Sequence, residues 1–213
     1  MTDVISILKK VGAVITNDHF IYTSGKHGSV YVNKDAVYTH VGEVSKIGRM
    51  FAEKYKNRVV DIVAAPALGG IILSQWTAHH LSRLKGKEVL SVYTEKTPDK
   101  DQVFTRGYDK LVKNKKVLVI EDLTTTGGSV KKVVKSVKKA GGKVVGVAVM
   151  VNRNPKEVNS KFMSVPFTAL AVLKAEAIEE KNCELCKKNV PINTTVGHGK
   201  KYLEAKKKLS KLN

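Results

Sequence analysis

The sequence predicts an α/β fold in which a doubly wound parallel sheet carries helices on both faces. Apolar runs typical of buried strands alternate with amphipathic helical patterns, as in strand–helix–strand units. A small N-terminal element and a C-terminal basic helix extend this core. The 213 residues suit a single domain with an N-terminal part over 1–40, a core over 41–175 and a C-terminal appendage over 176–213.

The first part of the chain predicts two helices separated by a small hairpin. Residues 3–14 carry apolar positions at helical spacing, and Gly12 marks the end of that helix. Short β-prone runs with intervening glycines make 19–40 a hairpin-like element. A helical stripe then starts at Val44 and reaches Tyr55.

The sequence of the core predicts five strands with helices between them. One helix carries an apolar face over 130–137 and ends at Gly141, and a last, basic helix runs from Tyr202 to Leu212. The polar segment 94–115 has no assignment, and a loop of that length is usually functional or disordered. The predicted strands are VVDIVAAP (59–66), EVLSVY (88–93), KVLVIED (116–122), KVVGVAVMV (143–151) and FTALAVL (167–173).

The cysteine content and the hydropathy predict a cytoplasmic location. Cys183 and Cys186 are the only two cysteines, too few for a disulfide framework and spaced as C-x-x-C. No apolar run approaches the roughly 20 residues that a membrane span needs. The first ten residues also lack the pattern of a signal peptide. We therefore expect no membrane partner.

The charge balance predicts attraction to polyanions. Lys and Arg number 38 against 19 Asp and Glu, which gives a formal charge of +19. Only five of these basic residues are arginine, the side chain that forked recognition of bases and phosphates favours. The composition therefore does not indicate a nucleic-acid reader, and a solvated lysine surface is the simpler interpretation.

One turn carries the strongest chemical signal. After the strand KVLVIED, Gly127 and Gly128 let the backbone point N–H groups inward, while Thr124, Thr125, Thr126 and Ser129 add hydroxyl donors. The helix that follows adds the positive end of its dipole. Glu121 and Asp122 precede this anion cradle and suit a ligand that also carries hydroxyls, so the pattern predicts a sugar phosphate such as a ribose 5-phosphate.

The stretch VLVIEDLTTTGGS resembles the phosphoribosyl pyrophosphate (PRPP) motif of the type I phosphoribosyltransferases. The chain contains neither a P-loop nor a dinucleotide fingerprint, the two main competing phosphate motifs. Other segments resemble the orotate phosphoribosyltransferase branch, namely YTSGKHGSVYVNKD, APALGGI and VMVNRN. The resemblance implies transfer of the phosphoribosyl group to orotate, giving orotidine 5′-monophosphate and pyrophosphate in pyrimidine biosynthesis.

The resemblance also implies roles for individual residues. Residues 1–40 would cover the base as a hood, with base contacts from Ser24, Gly25, Lys26, Tyr31 and Arg153. Leu68, Gly69 and Gly70 would bind pyrophosphate through backbone N–H groups, although a plain strand-to-helix turn has the same pattern. Lys96 and Lys100 would be catalytic and close over the site from a mobile loop. Asp122 would be the third catalytic residue. Solvated lysines and a surface arginine are the alternatives.

Two positions in that loop depart from the family pattern. Glu95 stands where the family has arginine, and Gln102 stands where it has histidine. These changes leave two alternatives open: a phosphoribosyltransferase acting on a purine or another base, and a PRPP-binding regulator with affinity for nucleic acid.

The remaining expectations concern bound metal ions and the number of subunits. Mg²⁺ would arrive bound to PRPP, and the resemblance implies a homodimer. Cys183, Cys186 and His198 are candidate zinc ligands that lack an obvious fourth; two reduced thiols in a surface turn are the alternative.

Overall fold

A two-stranded hairpin forms the N-terminal part of the molecule. The computed structural model describes residues 3–22, 24–173 and 176–209. Helix α1 (Val4–Lys10) leads into β1 (Val14–Ile21), which pairs antiparallel with β2 (His27–Val32). This hairpin confirms the element predicted for 19–40, although the first strand begins earlier than expected.

A six-stranded sheet forms the core. All neighbouring strands are parallel except for the short edge strand β5 (Gln102–Val103), which is antiparallel to β4 (Leu90–Lys96). The chain places β4 on one side of β3 (Ile62–Pro66) and β6 (Lys116–Thr124) on the other, so the strand order reverses between β3 and β6. In spatial order the strands are β5 (Gln102–Val103), β4 (Leu90–Lys96), β3 (Ile62–Pro66), β6 (Lys116–Thr124), β7 (Lys143–Asn152) and β8 (Phe167–Val172).

Helices cover both faces of the sheet, which explains the unbroken apolar runs of its strands. Along β6, Leu118 and Ile120 join one apolar cluster, whereas Val117 and Val119 join a second one on the other face. The remaining helices are α2 (Asp35–Tyr38), α3 (Val41–Tyr55), α4 (Gly69–Lys85), α5 (Tyr108–Val112), α6 (Gly128–Lys139), α7 (Ser160–Met163), α8 (Glu184–Lys187) and α9 (Gly199–Leu209).

The unassigned segment 94–115 is compact. Strand β4 continues to Lys96, a tight turn follows in which Thr97 N–H donates to the Asp101 carbonyl at 3.0 Å, and β5 returns beside β4. Helix α5 occupies 108–112. Local hydrogen bonds and pairing with β4 order this segment despite its polar sequence.

The C-terminal segment packs on the hairpin rather than extending away. A 3₁₀ turn (Glu180–Asn182) precedes α8, and His27 exchanges two backbone hydrogen bonds with Ile178, at 2.8 and 2.9 Å. Further along, the Asn193 N–H donates to the His19 carbonyl at 2.8 Å. Within the described residues, no helix is both long and apolar enough for a membrane span.

Candidate active site

The glycine turn between β6 and α6 has the geometry of an anion cradle. Gly127 adopts a left-handed conformation with φ 73°, and its N–H donates to Thr124 Oγ1 at 3.0 Å. A Cβ atom on Gly127 would lie 2.5 Å from Phe162 Cε1, so only glycine fits there. Helix α6 starts at Gly128 and directs its N-terminal dipole at the turn.

The acid pair lies directly before this turn and is almost completely buried. Asp122 is 3% exposed, and its Oδ2 accepts hydrogen bonds from Lys34 Nζ at 2.7 Å and from the Tyr38 hydroxyl at 2.9 Å. Burial lowers the pKa of Lys34, but the charge and the hydrogen bond of Asp122, together with the nearby Asp35 and Glu121, outweigh burial and leave the pKa above its usual value. Lys34 therefore stays charged and neutralises Asp122.

Glu121 has a different environment from its neighbour. Burial, reinforced by the adjacent Asp122 charge, raises the pKa of Glu121 well above its ordinary value. Its Oε1 accepts from the Asp122 N–H at 3.0 Å. The pair therefore consists of an ion-paired carboxylate and a carboxyl group that holds its proton more tightly.

A cavity of about 680 Å³ opens in front of the turn. It lies beyond the carboxyl ends of the strands at the point where the strand order reverses, the usual ligand position in such sheets. Asp122 is not among the described residues that line it. Of the site residues predicted from the sequence, the following line it: Glu121, Thr124, Thr125, Thr126, Gly127, Gly128, Ser129, Ser24, Tyr31 and Arg153. The other lining residues are Tyr22, Val32, Lys34, Leu123, Ala177 and His198.

Arg153 and Tyr22 form one wall of this cavity. The Arg153 guanidinium lies over the Tyr22 ring at 4.6 Å from its centroid, and the Tyr22 hydroxyl donates to the Val30 carbonyl at 2.6 Å. The contact with the Tyr22 ring holds the guanidinium at this wall of the cavity. A planar, acidic heterocycle is the kind of ligand that such a cation can pair with.

The predicted pyrophosphate turn lies beside the acid pair. Gly69 opens α4, and a Cβ atom there would collide with Asp122 Oδ2 and lie 2.8 Å from Lys34 Nζ. A Cβ atom on Gly70 would lie 2.8 Å from the Ala65 Cβ, whereas Leu68 is 82% exposed. The peptide bond between Ala67 and Leu68 is cis. The turn thus borders the acid pair, although these three residues are absent from the described lining of the cavity.

The predicted lid lysines lie away from the cavity. Lys96 ends β4 and Lys100 occupies the following turn, where its carbonyl accepts from Lys132 of α6. Gln102 is 5% exposed and accepts from the Thr94 hydroxyl at 2.8 Å, so it anchors this hairpin. Glu95 pairs with Arg106 at 3.1 Å. The two departures from the family pattern therefore have partners within this segment.

All the predicted base contacts stay predictions, and two of the residues lie outside the cavity lining. Gly25 adopts φ 79° in the hairpin turn, and Lys26 pairs with Glu179 of the C-terminal segment at 3.0 Å. Sequence reasoning missed Lys34 and Tyr38, which hold Asp122. Lys34 lies within the quoted segment YTSGKHGSVYVNKD and Tyr38 follows it closely, but only the folded chain brings these side chains against the end of β6.

The cysteines lie elsewhere and have partners that the sequence did not suggest. Cys183 and Cys186 face His19 and His27 of the hairpin, with the four potential ligand atoms all within 4.8 Å of one another. His198, the histidine proposed from spacing, lines the cavity and is not a member of this group. Cys183 is also 2% exposed, which excludes it from the surface turn considered as the alternative.

Comparison with known proteins identifies relatives across most of the chain. Residues 33–169 match the phosphoribosyl transferase domain model. The orotate phosphoribosyltransferase of Caldanaerobacter subterraneus subsp. tengcongensis is 35% identical over 89% of this chain and 93% of its own length. That of Desulforamulus reducens is 36% identical over the same shares. The Mycobacterium tuberculosis orotate phosphoribosyltransferase in complex with PRPP aligns with a TM-score of 0.62 at 22% identity, covering 81% of this chain and 97% of that one.

Proposed function

The chain belongs to the phosphoribosyltransferase family, and from this premise we propose that it transfers the phosphoribosyl group of PRPP to orotate, giving orotidine 5′-monophosphate and pyrophosphate. One observation carries the proposal. A phosphate cradle, a buried acid and an arginine guanidinium over a tyrosine ring line the same cavity, and they match the three chemical parts of the reactants.

The reactants fit this cavity in one orientation. The 5-phosphate lies in the turn 124–129, where backbone N–H groups and hydroxyls donate to it. The ribose 2- and 3-hydroxyls reach Glu121 and Asp122. Since Lys34 and Tyr38 already hold Asp122, an arriving hydroxyl has to share or replace one of these donors. The orotate carboxylate pairs with Arg153 on the Tyr22 ring.

Catalysis by this chain rests on positioning and on charge stabilisation. The base nitrogen displaces pyrophosphate from the anomeric carbon, so positive character grows on the ribose ring while negative charge grows on the leaving group. The acid pair lies under the ribose, and Lys34 lies next to Gly69 at the pyrophosphate turn. Lys96 and Lys100 assist when their hairpin leaves α6 and closes the cavity against water.

Mg²⁺ belongs to this proposal as a companion of PRPP. The donor set fits, because Glu121 and Asp122 supply carboxylate oxygens, which Mg²⁺ prefers, without forming a closed protein cage. When bound, the ion neutralises the pyrophosphate oxygens. A homodimer and a cytoplasmic location complete the proposal, and light scattering of the purified chain tests the dimer.

A substrate panel tests the function. The purified chain is incubated with PRPP, Mg²⁺ and orotate, adenine, hypoxanthine or uracil, and pyrophosphate release is followed. We expect turnover with orotate, and at least tenfold lower kcat/KM for orotate in Arg153→Met, which loses the carboxylate partner. Turnover only with a purine would replace orotate as the substrate. PRPP binding without turnover on any base would favour the regulator.

A further inference from the structure

We infer that His19, His27, Cys183 and Cys186, the His/Cys cluster, form a structural zinc site that fastens the C-terminal segment to the hood hairpin. His19 lies on β1 and His27 opens β2, whereas Cys183 directly precedes α8 and Cys186 lies within it. All four lie outside residues 33–169, the span that matches the family model. The site is therefore an addition to the common core.

The ligand atoms have the spacing of a tetrahedral site. The Cys186 sulfur lies 3.3 Å from His27 Nδ1 and 3.7 Å from His19 Nε2, and the Cys183 sulfur lies 3.7 Å from His19 Nε2. Zinc–ligand bonds of ~2.0–2.3 Å at tetrahedral angles place a sulfur and a nitrogen about 3.5 Å apart. His19 Nε2 and His27 Nδ1 are 2.8 Å apart, so these two nitrogens need to move only slightly further apart to reach tetrahedral spacing.

The surroundings of His19 orient it as a ligand. Its Nδ1 lies 2.8 Å from the Val190 carbonyl, to which it can donate only when protonated, and this leaves Nε2 with a lone pair directed at the cluster. Such a bond from the second ring nitrogen to a carbonyl is typical of metal-bound histidine. Val190 itself belongs to the segment that carries the cysteines.

Burial distinguishes this cluster from an ordinary group of polar side chains. His19, His27 and Cys183 are 1%, 0% and 2% exposed. No hydrogen-bond partner is found for His27 Nε2 within the described part of the chain. Without a metal, the only hydrogen-bonding contact between the two imidazoles in the described residues is the one from His19 Nε2 to His27 Nδ1 at 2.8 Å, whereas two thiolates and two neutral imidazoles would neutralise Zn²⁺ and use every ligand atom. A Cys₂His₂ set closes the coordination sphere, as in structural sites.

The site has a consequence for the cavity. The segment held by the cluster supplies Ala177 and His198 to the cavity wall, and the His198 N–H donates to the Ile21 carbonyl at 3.0 Å. Zinc would keep this wall closed against the hairpin. This consequence rests on the proposed function, whereas zinc binding itself does not.

Metal content of the full chain tests the site. Protein purified without chelator should contain one equivalent of zinc, and X-ray absorption should show two sulfur and two nitrogen ligands at ~2.3 and ~2.0–2.1 Å. Co²⁺ exchanged into the unmodified chain should give the visible absorption of a tetrahedral dithiolate site. Substoichiometric zinc, an oxygen-dominated shell, or a Cys183–Cys186 disulfide in freshly purified protein would overturn the inference.

Two histidine variants separate the ligand sets. His27→Ala should lose zinc, while His198→Ala, a matched loss of one imidazole from the same region, should retain it. Retention of zinc by His27→Ala, or its loss from His198→Ala, contradicts the site. Because the Co²⁺ spectrum uses unmodified protein, a variant that fails to fold does not decide the outcome.

Hydrogen exchange tests the fastening role separately from turnover. Zinc removal should increase exchange in 14–32 and 178–198 and leave the strands β3 and β6 protected. Unchanged exchange in both segments after zinc removal would reject the fastening role. If the proposed function holds, the KM for the base should also rise; inactivity of the zinc-loaded chain on every base would instead count against that function and leave the zinc stoichiometry intact.

Discussion

At the scale of single residues, the two neighbouring acids of the site have different surroundings because their partners differ. Asp122 is ion-paired with Lys34 at 2.7 Å, whereas Glu121 is buried and its pKa is raised. The sequence shows two adjacent carboxylates and predicts their role toward ribose hydroxyls. It does not show that Lys34 is the partner of Asp122, because 88 residues separate the two.

Asp122→Asn should lower kcat/KM for PRPP by about 100-fold or more, because loss of a charged hydrogen-bond acceptor for ribose removes ~3 kcal/mol of transition-state stabilisation and leaves Lys34 unpaired. Steady-state kinetics measures the effect. Asp109→Asn, on the exposed face of α5, is the control and should match the unmodified enzyme. Equal activity of Asp122→Asn and the control would remove Asp122 from the site.

Glu121→Gln should stabilise the protein at neutral pH while lowering its activity. Because the folded pKa of Glu121 is raised above the ordinary 4.5, the stability it contributes is complete below pH 4.5 and is lost as pH rises through the folded value. The neutral glutamine escapes this loss, so the variant should gain a Tm increase of a few degrees at pH 7 that vanishes near pH 4.

Thermal melts across this pH range check the Glu121 prediction. Glu88→Gln is the control, since Glu88 is exposed and its replacement should leave the Tm unchanged at each pH. A Tm gain of Glu121→Gln that stays constant down to pH 4 would show that titration of Glu121 is not the cause.

At the scale of elements, the turn between β6 and α6 is the part of the site that local sequence determines. Its glycines, hydroxyls and helix start are contiguous, so the pattern predicts the cradle directly. The hairpin of β4 and β5 is the opposite case. Buried Gln102 and the Glu95–Arg106 pair stabilise it through contacts that a polar sequence of 22 residues does not reveal.

Gly127→Ala and Gly128→Ala form a matched pair on this turn. Alanine at 127 meets a positive φ and the Phe162 ring, so the variant should lose about 1–3 kcal/mol of unfolding free energy and most of its phosphate affinity. At 128 the nearest atom lies at 3.5 Å, and stability should change by less than ~1 kcal/mol. Denaturant unfolding compares them, and equal losses would contradict the assigned geometry.

At the scale of the whole molecule, the excess of lysine acts through its summed field. A formal charge of +19 attracts PRPP, pyrophosphate and orotate alike, and arginine is too scarce for base-specific contacts with nucleic acid. The lysines of α6 and α9 lie mainly on exposed positions. If this field acts on catalysis, we expect it to steer anionic reactants over long range, an effect that salt screens.

Raising the salt concentration should increase the KM for PRPP and leave kcat unchanged. The Debye length falls from ~30 Å at 0.01 M to ~8 Å at 0.15 M, so we expect the KM to rise about two- to fivefold over this range at constant free Mg²⁺. Steady-state measurements of pyrophosphate release at each salt concentration give both the KM and the kcat. A fall in kcat with constant KM would place the salt effect in catalysis instead of steering.

The sequence by itself determined the alternation of strands and helices, the glycine turn and the acid pair before it, since these depend on periodicity and on residues adjacent in the chain. Only the tertiary structure decided that Lys34 and Tyr38 hold Asp122, that Gly69 borders it, and that His19 and His27 are the partners of the cysteines. Cys183 and His19 are 164 residues apart. Contacts over such separations follow from how the hairpin, the sheet and the C-terminal segment pack, and no local pattern encodes that packing.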